Sequence, residues 1–198
     1  MLFRSQAKLK EAGFNPTNVV FTAKTPLDGR EATIRNQAAN LPQMVAQSML
    51  TASKTADCAI LNSGSIRIDD VLRGNITEFD VVRILPFGGS IELVEMKGSL
   101  LQKTLETGVA NKGLGGFLQY ANISQNGDKW IVNNAPLDPA KVYRVAVGDF
   151  LMTGGEANMA FLKHDNPDVV KFQSFATDKT DLRRDVRLAF IDYLKTLK

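Results

Sequence analysis

The stretch ILPFGGSIELVEMKG, residues 84–98, places a short loop between a helix and a strand, and its reading sets the fold class. Upstream, TEFDVVRIL reads as a helix opened at Thr77, with Asp80 at the capping-box position. That helix must stop near Leu85, because Pro86 disfavours helical geometry in the residue before it. Downstream, SIELVEMK alternates as a strand does, with Ile91, Leu93, Val94 and Met96 mostly on one side. Between them, PFGG is a defined turn: proline fixes φ, and the two glycines permit backbone shapes closed to other residues. Such a loop belongs on the surface, so the large apolar ring of Phe87 needs a reason. It either folds back as a plug over the core or stands out as a stacking platform for a flat ligand. The second reading requires companions elsewhere in the chain.

Helices and strands interleave on both sides of this stretch. FRSQAKLKEAGF (3–14) reads as an amphipathic helix stopped by Gly13. NVVFTA reads as a strand and PLDGRE as a turn. NLPQMVAQSMLTAS sets Leu41, Met44, Val45, Ser48, Met49 and Ala52 on one helical face, with Asn40 as N-cap. DCAILN is a short buried strand running into SGSIR. Ser99 and Gln102 form a second capping-box pattern at the start of SLLQKTLETGVA. The glycine-rich NKGLGG precedes a strand, FLQYANIS, and the NGD turn before KWIV marks a hairpin. VYRVAVGDF and DVVKFQSF are further strands. A last helix spaces Leu182, Val186, Ala189, Phe190, Tyr193, Leu194 and Leu197 along one face. Irregular interleaving with a hairpin predicts a mixed α/β (α+β) protein with mixed sheets and more than one layer. No repeat, linker or low-complexity stretch divides the chain, so residues 1–198 read as one domain.

Bulk properties narrow the function. The 198 residues carry 24 basic and 21 acidic side chains, a net charge of +3. That excess is too small to imply nucleic acid as a partner. The longest apolar runs fall far short of a bilayer span, and the N-terminal segment has no apolar centre of the kind a signal peptide carries. The single cysteine, Cys58, excludes an internal disulfide and a thiolate zinc cluster, and reads as a small core residue. The single histidine, His164, lies in the polar loop KHDNPD and reads as a solvated surface residue. A Ser-His-Asp triad would have to use it, and a two-metal hydrolytic site normally draws on several histidines and carboxylates. No catalytic residue, metal ligand or cofactor is therefore assigned to this chain.

Three loops combine glycine with a functional side chain at the end of a strand. In NSGSIR, Arg67 projects beside Gly64, where successive N–H groups can face an anion and a guanidinium can hold two phosphate oxygens. PFGG presents Phe87. GDFLMTGGEAN presents a second aromatic, Phe150, followed by Gly154, Gly155 and Glu156. Each loop alone also reads as ordinary structure. Together they suit a nucleotide: a base between two phenyl faces gains roughly 1–3 kcal/mol per stacked face, a carboxylate accepts from ribose hydroxyls, and arginine holds phosphate.

The runs ILNSGSIR, GNITEFDVVRILPFGGSIELVEMKG, GGFLQY and PLDPAKVYRVAVGDFLMTGGE, with PLDGREATIRNQAANLPQMVAQSML before them, resemble the C-terminal domain of the 5'-nucleotidase / UDP-sugar hydrolase family. The similarity covers roughly residues 18–163 and keeps several separate motifs in the family's order. It implies a four-layer α-β-β-α fold carrying the substrate-specificity pocket, with residues 1–17 the remnant of an interdomain linker helix. By motif position it implies Phe87 and Phe150 against the base, Asn62 near the base, Arg35 and Arg67 on phosphate, and Glu156 on ribose. It further implies a nucleotide or nucleoside ligand and a periplasmic or extracellular location. Divalent metals and catalysis would belong to a metallophosphoesterase domain supplied in cis or in trans, whose D-x-H, G-N-H-E and G-H-x-H motifs do not occur here. The expected function is thus nucleotide recognition without catalysis by this chain alone; the alternative is a stand-alone binding or interaction module. Three departures stand out. NSGSIR replaces the usual NGGGIR, Glu156 stands where aspartate is typical, and Gln47 stands where aspartate is common.

Overall fold

The computed structural model describes residues 6–197. The first residues of the helix expected over 3–14 lie outside that range, and its remainder is α1 (Gln6–Glu11). The chain continues through β1 (Val19–Asp28), α2 (Glu31–Ile34), α3 (Asn40–Ala52), β2 (Cys58–Asn62), β3 (Val71–Thr77), α4 (Glu78–Ile84), β4 (Ile91–Lys97) and α5 (Gly98–Ala110). Then come β5 (Leu118–Ala121), β6 (Ile123–Asn126), β7 (Lys129–Val132), β8 (Ala135–Pro136), β9 (Val142–Gly148), β10 (Val169–Gln173) and α6 (Val186–Thr196).

A five-stranded mixed sheet, ordered β10-β4-β9-β2-β5, is the centre of the molecule. β2 and β9 run parallel, with Cys58 opposite Val145 and Ile60 opposite Val147, and the other pairs are antiparallel. β2 is buried along its whole length because both faces of the sheet are covered there, whereas the edge strand β10 is mostly exposed. Alternate residues feed two cores: Ala59, Leu61, Ile91 and Ala146 face one, while Cys58, Ile60, Val94, Met96, Val145 and Val147 face the other. In the first core the sheet meets α3 and α6, and beyond them α4 and an antiparallel β1–β3 ribbon. In the second it meets α5 and the β6–β7 hairpin. The mixed α/β class with mixed sheets is as expected. Both cores contain fully buried Leu, Ile, Met or Phe side chains, each contributing about 1.5–3 kcal/mol.

Two-sided burial corrects the reading of β4. Its apolar residues divide between the two cores, with Ile91 on the α3/α6 side and Val94 and Met96 on the α5 side. The helix before it behaves as predicted. Thr77 Oγ1 accepts from Asp80 N, Asp80 Oδ2 accepts from Thr77 N at 2.9 Å, and the helix closes at Leu85.

Elsewhere tertiary contacts override local signals. PLD belongs to β1, with Pro26 between Ala23 and Leu27 where the pairing with β3 shifts register, a place that tolerates its missing N–H. Ala39 precedes α3 as its cap, and Asn40 is the first helical residue. The Asn40 side chain instead ties the helix to β1, accepting from Asp28 N and donating to the Pro26 carbonyl. No side chain caps α5, because Gly98 N and Ser99 N donate to the carbonyls of Lys141 and Pro139. Gln102 donates to Glu106 instead of completing a capping box. Leu182 and Leu197 flank α6 and are exposed, whereas Val186, Ala189, Phe190 and Leu194 are buried.

His164 is not simply solvated. Its Nε2 lies 2.6 Å from Oε2 of the buried Glu92, and its ring packs on Phe172 with centroids 4.1 Å apart. Cys58 is fully buried, and that burial pushes its thiol pKa far up, away from reactivity.

The tight entry to α5 gives a test. A Cβ at Gly98 would overlap the Asp138 carbonyl oxygen, and backbone cannot swing aside as a side chain can. Gly98→Ala is expected to destabilise the protein by about 1–3 kcal/mol, read as a lower denaturant midpoint. An unchanged midpoint would contradict this packing.

Candidate functional site

Strand pairing brings the three glycine loops together. Because β2 and β9 are parallel, the segments after Asn62 and after Gly148 leave the sheet at the same edge. β4 is antiparallel to β9, with Ile91 opposite Gly148, so PFGG enters at that edge too. β5 is antiparallel to β2, with Leu118 opposite Asn62, which adds the 111–117 loop. The result is a cleft of about 590 Å³ whose lining includes Arg35, Asn62, Arg67, Phe87, Phe150 and Glu156. All six residues singled out in the sequence meet there. The volume suits a small organic ligand. A cleft of about 630 Å³, bordered by α3, α6 and residues 180–183, contains none of the six.

Each side chain has a local reason for its place. Gly88 and Gly89 both hold positive φ, +65° and +95°, which turns the chain sharply and leaves Phe87 63% exposed. Val186 N, opening α6, donates to the Gly89 carbonyl. Phe150 lies in a 3-10 turn (Asp149–Met152) and is 49% exposed. Neither ring is a core plug. The two aromatic loops are joined directly: Asp149 Oδ2 accepts from Ser90 N at 2.7 Å and from Ser90 Oγ at 2.9 Å. Asp149 N donates back to the Ser90 carbonyl. Any Cβ on Gly89 would come within 2.7 Å of Asp149 Oδ1.

Asn62, at the end of β2, is buried and donates to Glu156 Oε2 at 2.7 Å while accepting from Ser65 Oγ. Glu156 Oε1 accepts from Ala157 N. The carboxylate is thereby aimed across the cleft floor, with lone pairs left for a hydroxyl donor. Gly64 has no positive φ; it is needed for close approach, since a Cβ there would lie 3.1 Å from Gly115 Cα. The serines flanking it likewise avoid positive φ, so NSGSIR keeps an unstrained backbone. The expected ring of anion-facing N–H groups in that turn does not form. Ser63, Gly64, Ile66 and Arg67 donate their N–H groups to the carbonyls of Phe117, Gly115, Ser63 and Ile84.

Arg67 reaches back over Phe87, its Cζ 5.4 Å from the ring centroid, a cation–π distance. Arg35 follows α2 and is paired with Glu31, four residues earlier, which also lies 3.6 Å from Arg67. The turn before α2 is organised by Asp28, which accepts from Arg30 and Thr33. The Arg30 hydrogen bond, outweighing burial, holds the Asp28 carboxyl down at about 2. That support is present above about pH 4 and is lost as the pH falls through about 2.

Three residues escaped the sequence reading: Glu31, Ser90 and Asp149. The i,i+4 spacing of Glu31 and Arg35 was a usable signal. The Asp149–Ser90 contact had none, because it joins segments 59 positions apart. Among the described residues, no group of three or more His, Cys, Asp or Glu side chains is placed to hold a metal.

Removing the Asp149 carboxylate should separate the two loops. Asp149→Ala is expected to lower stability by about 1.5–3 kcal/mol and to strip the Ser90 amide of its hydrogen-exchange protection. Retained protection would mean that other contacts hold the loops together.

Known proteins resemble this chain in sequence and in fold. Residues 19–164 match the family described as 5'-nucleotidase, C-terminal domain. The chain is 35% identical over 137 residues to protein UshA of Yersinia enterocolitica, covering 66% of this chain and 24% of that protein. It is 31% identical over 177 residues to the 5'-nucleotidase of Bos taurus, covering 72% of this chain and 31% of that protein. The crystal structure of the 5'-nucleotidase precursor from Thermus thermophilus superposes with a TM-score of 0.77 at 26% identity, across 97% of this chain and 39% of that one. The chain therefore spans less than a third of the length of the two curated relatives. A match over most of the chain, in sequence and in fold, is decisive: the chain belongs to the 5'-nucleotidase C-terminal domain family.

Proposed function

We propose that this chain is the nucleotide-recognition domain of a 5'-nucleotidase-type phosphohydrolase. The observation that carries the reading is the pair of half-exposed phenyl rings, Phe87 and Phe150, on loops tied to each other around one cleft. An apolar ring held out of the core by two positive-φ glycines gains most when another flat ring covers it. In this reading a base stacks against both phenyl faces and Asn62 contacts the base edge. Glu156 accepts from ribose hydroxyls, and Arg35 and Arg67 face the phosphate. Hydrolysis belongs to a separate two-metal domain, in cis or in trans, to which this chain presents its ligand. The same reading puts the protein in the periplasm or outside the cell. No helix among the described residues is long and apolar enough to cross a membrane.

Energetics set the expected affinity. Stacking supplies about 1–3 kcal/mol per face, hydrogen bonds to charged groups such as Glu156 and the arginines add about 1.5–3 kcal/mol each, and association entropy opposes them by at least ~4 kcal/mol. Binding by this chain alone is therefore weak, with Kd on the order of 0.1 to 10 mM. Titration with adenosine or uridine, followed by amide NMR shifts, should perturb residues 87–89 and 150–156. Phe87→Ala and Phe150→Ala should each abolish the response. Binding that survives both substitutions would refute the base sandwich.

Catalysis gives a separate expectation. The isolated chain should release no phosphate from AMP with Mn²⁺ or Zn²⁺ added, because a two-metal centre needs ligands converging on ions about 3.5–4 Å apart. Metal-dependent release that a substitution within this chain abolishes would overturn it.

A further inference from the structure

Arg35 and Arg67 converge on a carboxylate that belongs to the protein itself. Glu31 Oε1 accepts from Arg35 Nη2 and lies 3.6 Å from Arg67 Nη1. Arg35 Nε is buried and finds no hydrogen-bond partner among the described residues. The cleft that the two arginines line is also lined by two carboxylates, Asp149 and Glu156. The turn after β2 gives four of its N–H groups, those of Ser63, Gly64, Ile66 and Arg67, to carbonyls. Two guanidinium groups therefore do not make this cleft a positive one.

We propose that Glu31 is the specificity-determining residue of the cleft, setting how much a ligand's phosphate contributes to binding. The proposal rests on the reading of Arg35 and Arg67 as the anion-facing pair. The Glu31 carboxylate occupies the guanidinium edges that a phosphate oxygen would use. An incoming oxyanion must either displace it or lie beside it as a like charge, which disfavours the complex. The cleft consequently recognises the uncharged base and sugar and discriminates against an added phosphate. Displacement is feasible, because the Glu31 side chain is 38% exposed and can return to water. Once it leaves, the guanidinium edges it held become available to the oxyanion in the fork geometry that arginine offers.

The sign of the effect is what distinguishes this role from a structural one. If Glu31 merely held the arginines in position, removing its charge would weaken anion binding. If it competes with the anion, removing its charge strengthens binding. Wild type, Glu31→Gln and Glu31→Ala are titrated with inorganic phosphate, following the Nε–H signals of Arg35 and Arg67, and separately with adenosine. Both variants should bind phosphate about tenfold more tightly than wild type, equivalent to about 1.4 kcal/mol, with adenosine affinity unchanged to within about twofold. Equal or weaker phosphate binding by the variants overturns the proposal. A phosphate gain with no adenosine binding by any of the three proteins supports the role of Glu31 and refutes the base sandwich.

Discussion

The position of β9, parallel to β2 on one side and antiparallel to β4 on the other, is the constraint on which the cleft depends. It delivers the end of β2, the start of β4 and the end of β9 to one edge of the sheet. Those three points carry Asn62, the PFGG turn and Phe150. The sheet can hold that arrangement because helices and a hairpin bury both of its faces, fixing the register of each strand. A one-residue slip of β9 would move Val145 and Val147 out of one core and Ala146 out of the other. The ligand cleft is thus a consequence of core packing, with Asp149 and Ser90 making the last adjustment between the two aromatic loops.

Electrostatically the cleft is balanced. Two arginines and two carboxylates line it, and Asn62 donates to Glu156 in a 2.7 Å hydrogen bond. The exposed apolar part of its lining comes from Phe87 and Phe150.

What the sequence disclosed follows from the range of the interactions involved. Pro86, Gly88 and Gly89 announce their turn because φ is a property of single residues, and the Thr77–Asp80 box closes within four residues. The grouping of Arg67, Phe87, Phe150 and Glu156 was legible because each of their loops carried its own glycine and side chain, whereas Arg35 and Asn62 followed only from the resemblance to the family. Features that depend on distant partners were not legible. The Ser99–Gln102 pattern is a sound local signal, but the carbonyls of Pro139 and Lys141 reach the start of α5 first. His164 has a polar sequence environment, yet the fold sets it against the buried Glu92. The division of β4 between two cores could not be read from its alternation alone, because alternation does not say how many faces are covered.

The central claim is that one flat ring is held by two phenyl faces on loops far apart in sequence. Intermolecular nuclear Overhauser effects in the adenosine complex test it directly. The adenine H2 and H8 protons should show cross-peaks to the ring protons of both Phe87 and Phe150. Cross-peaks to only one ring, or to neither while adenosine is bound elsewhere, would contradict it.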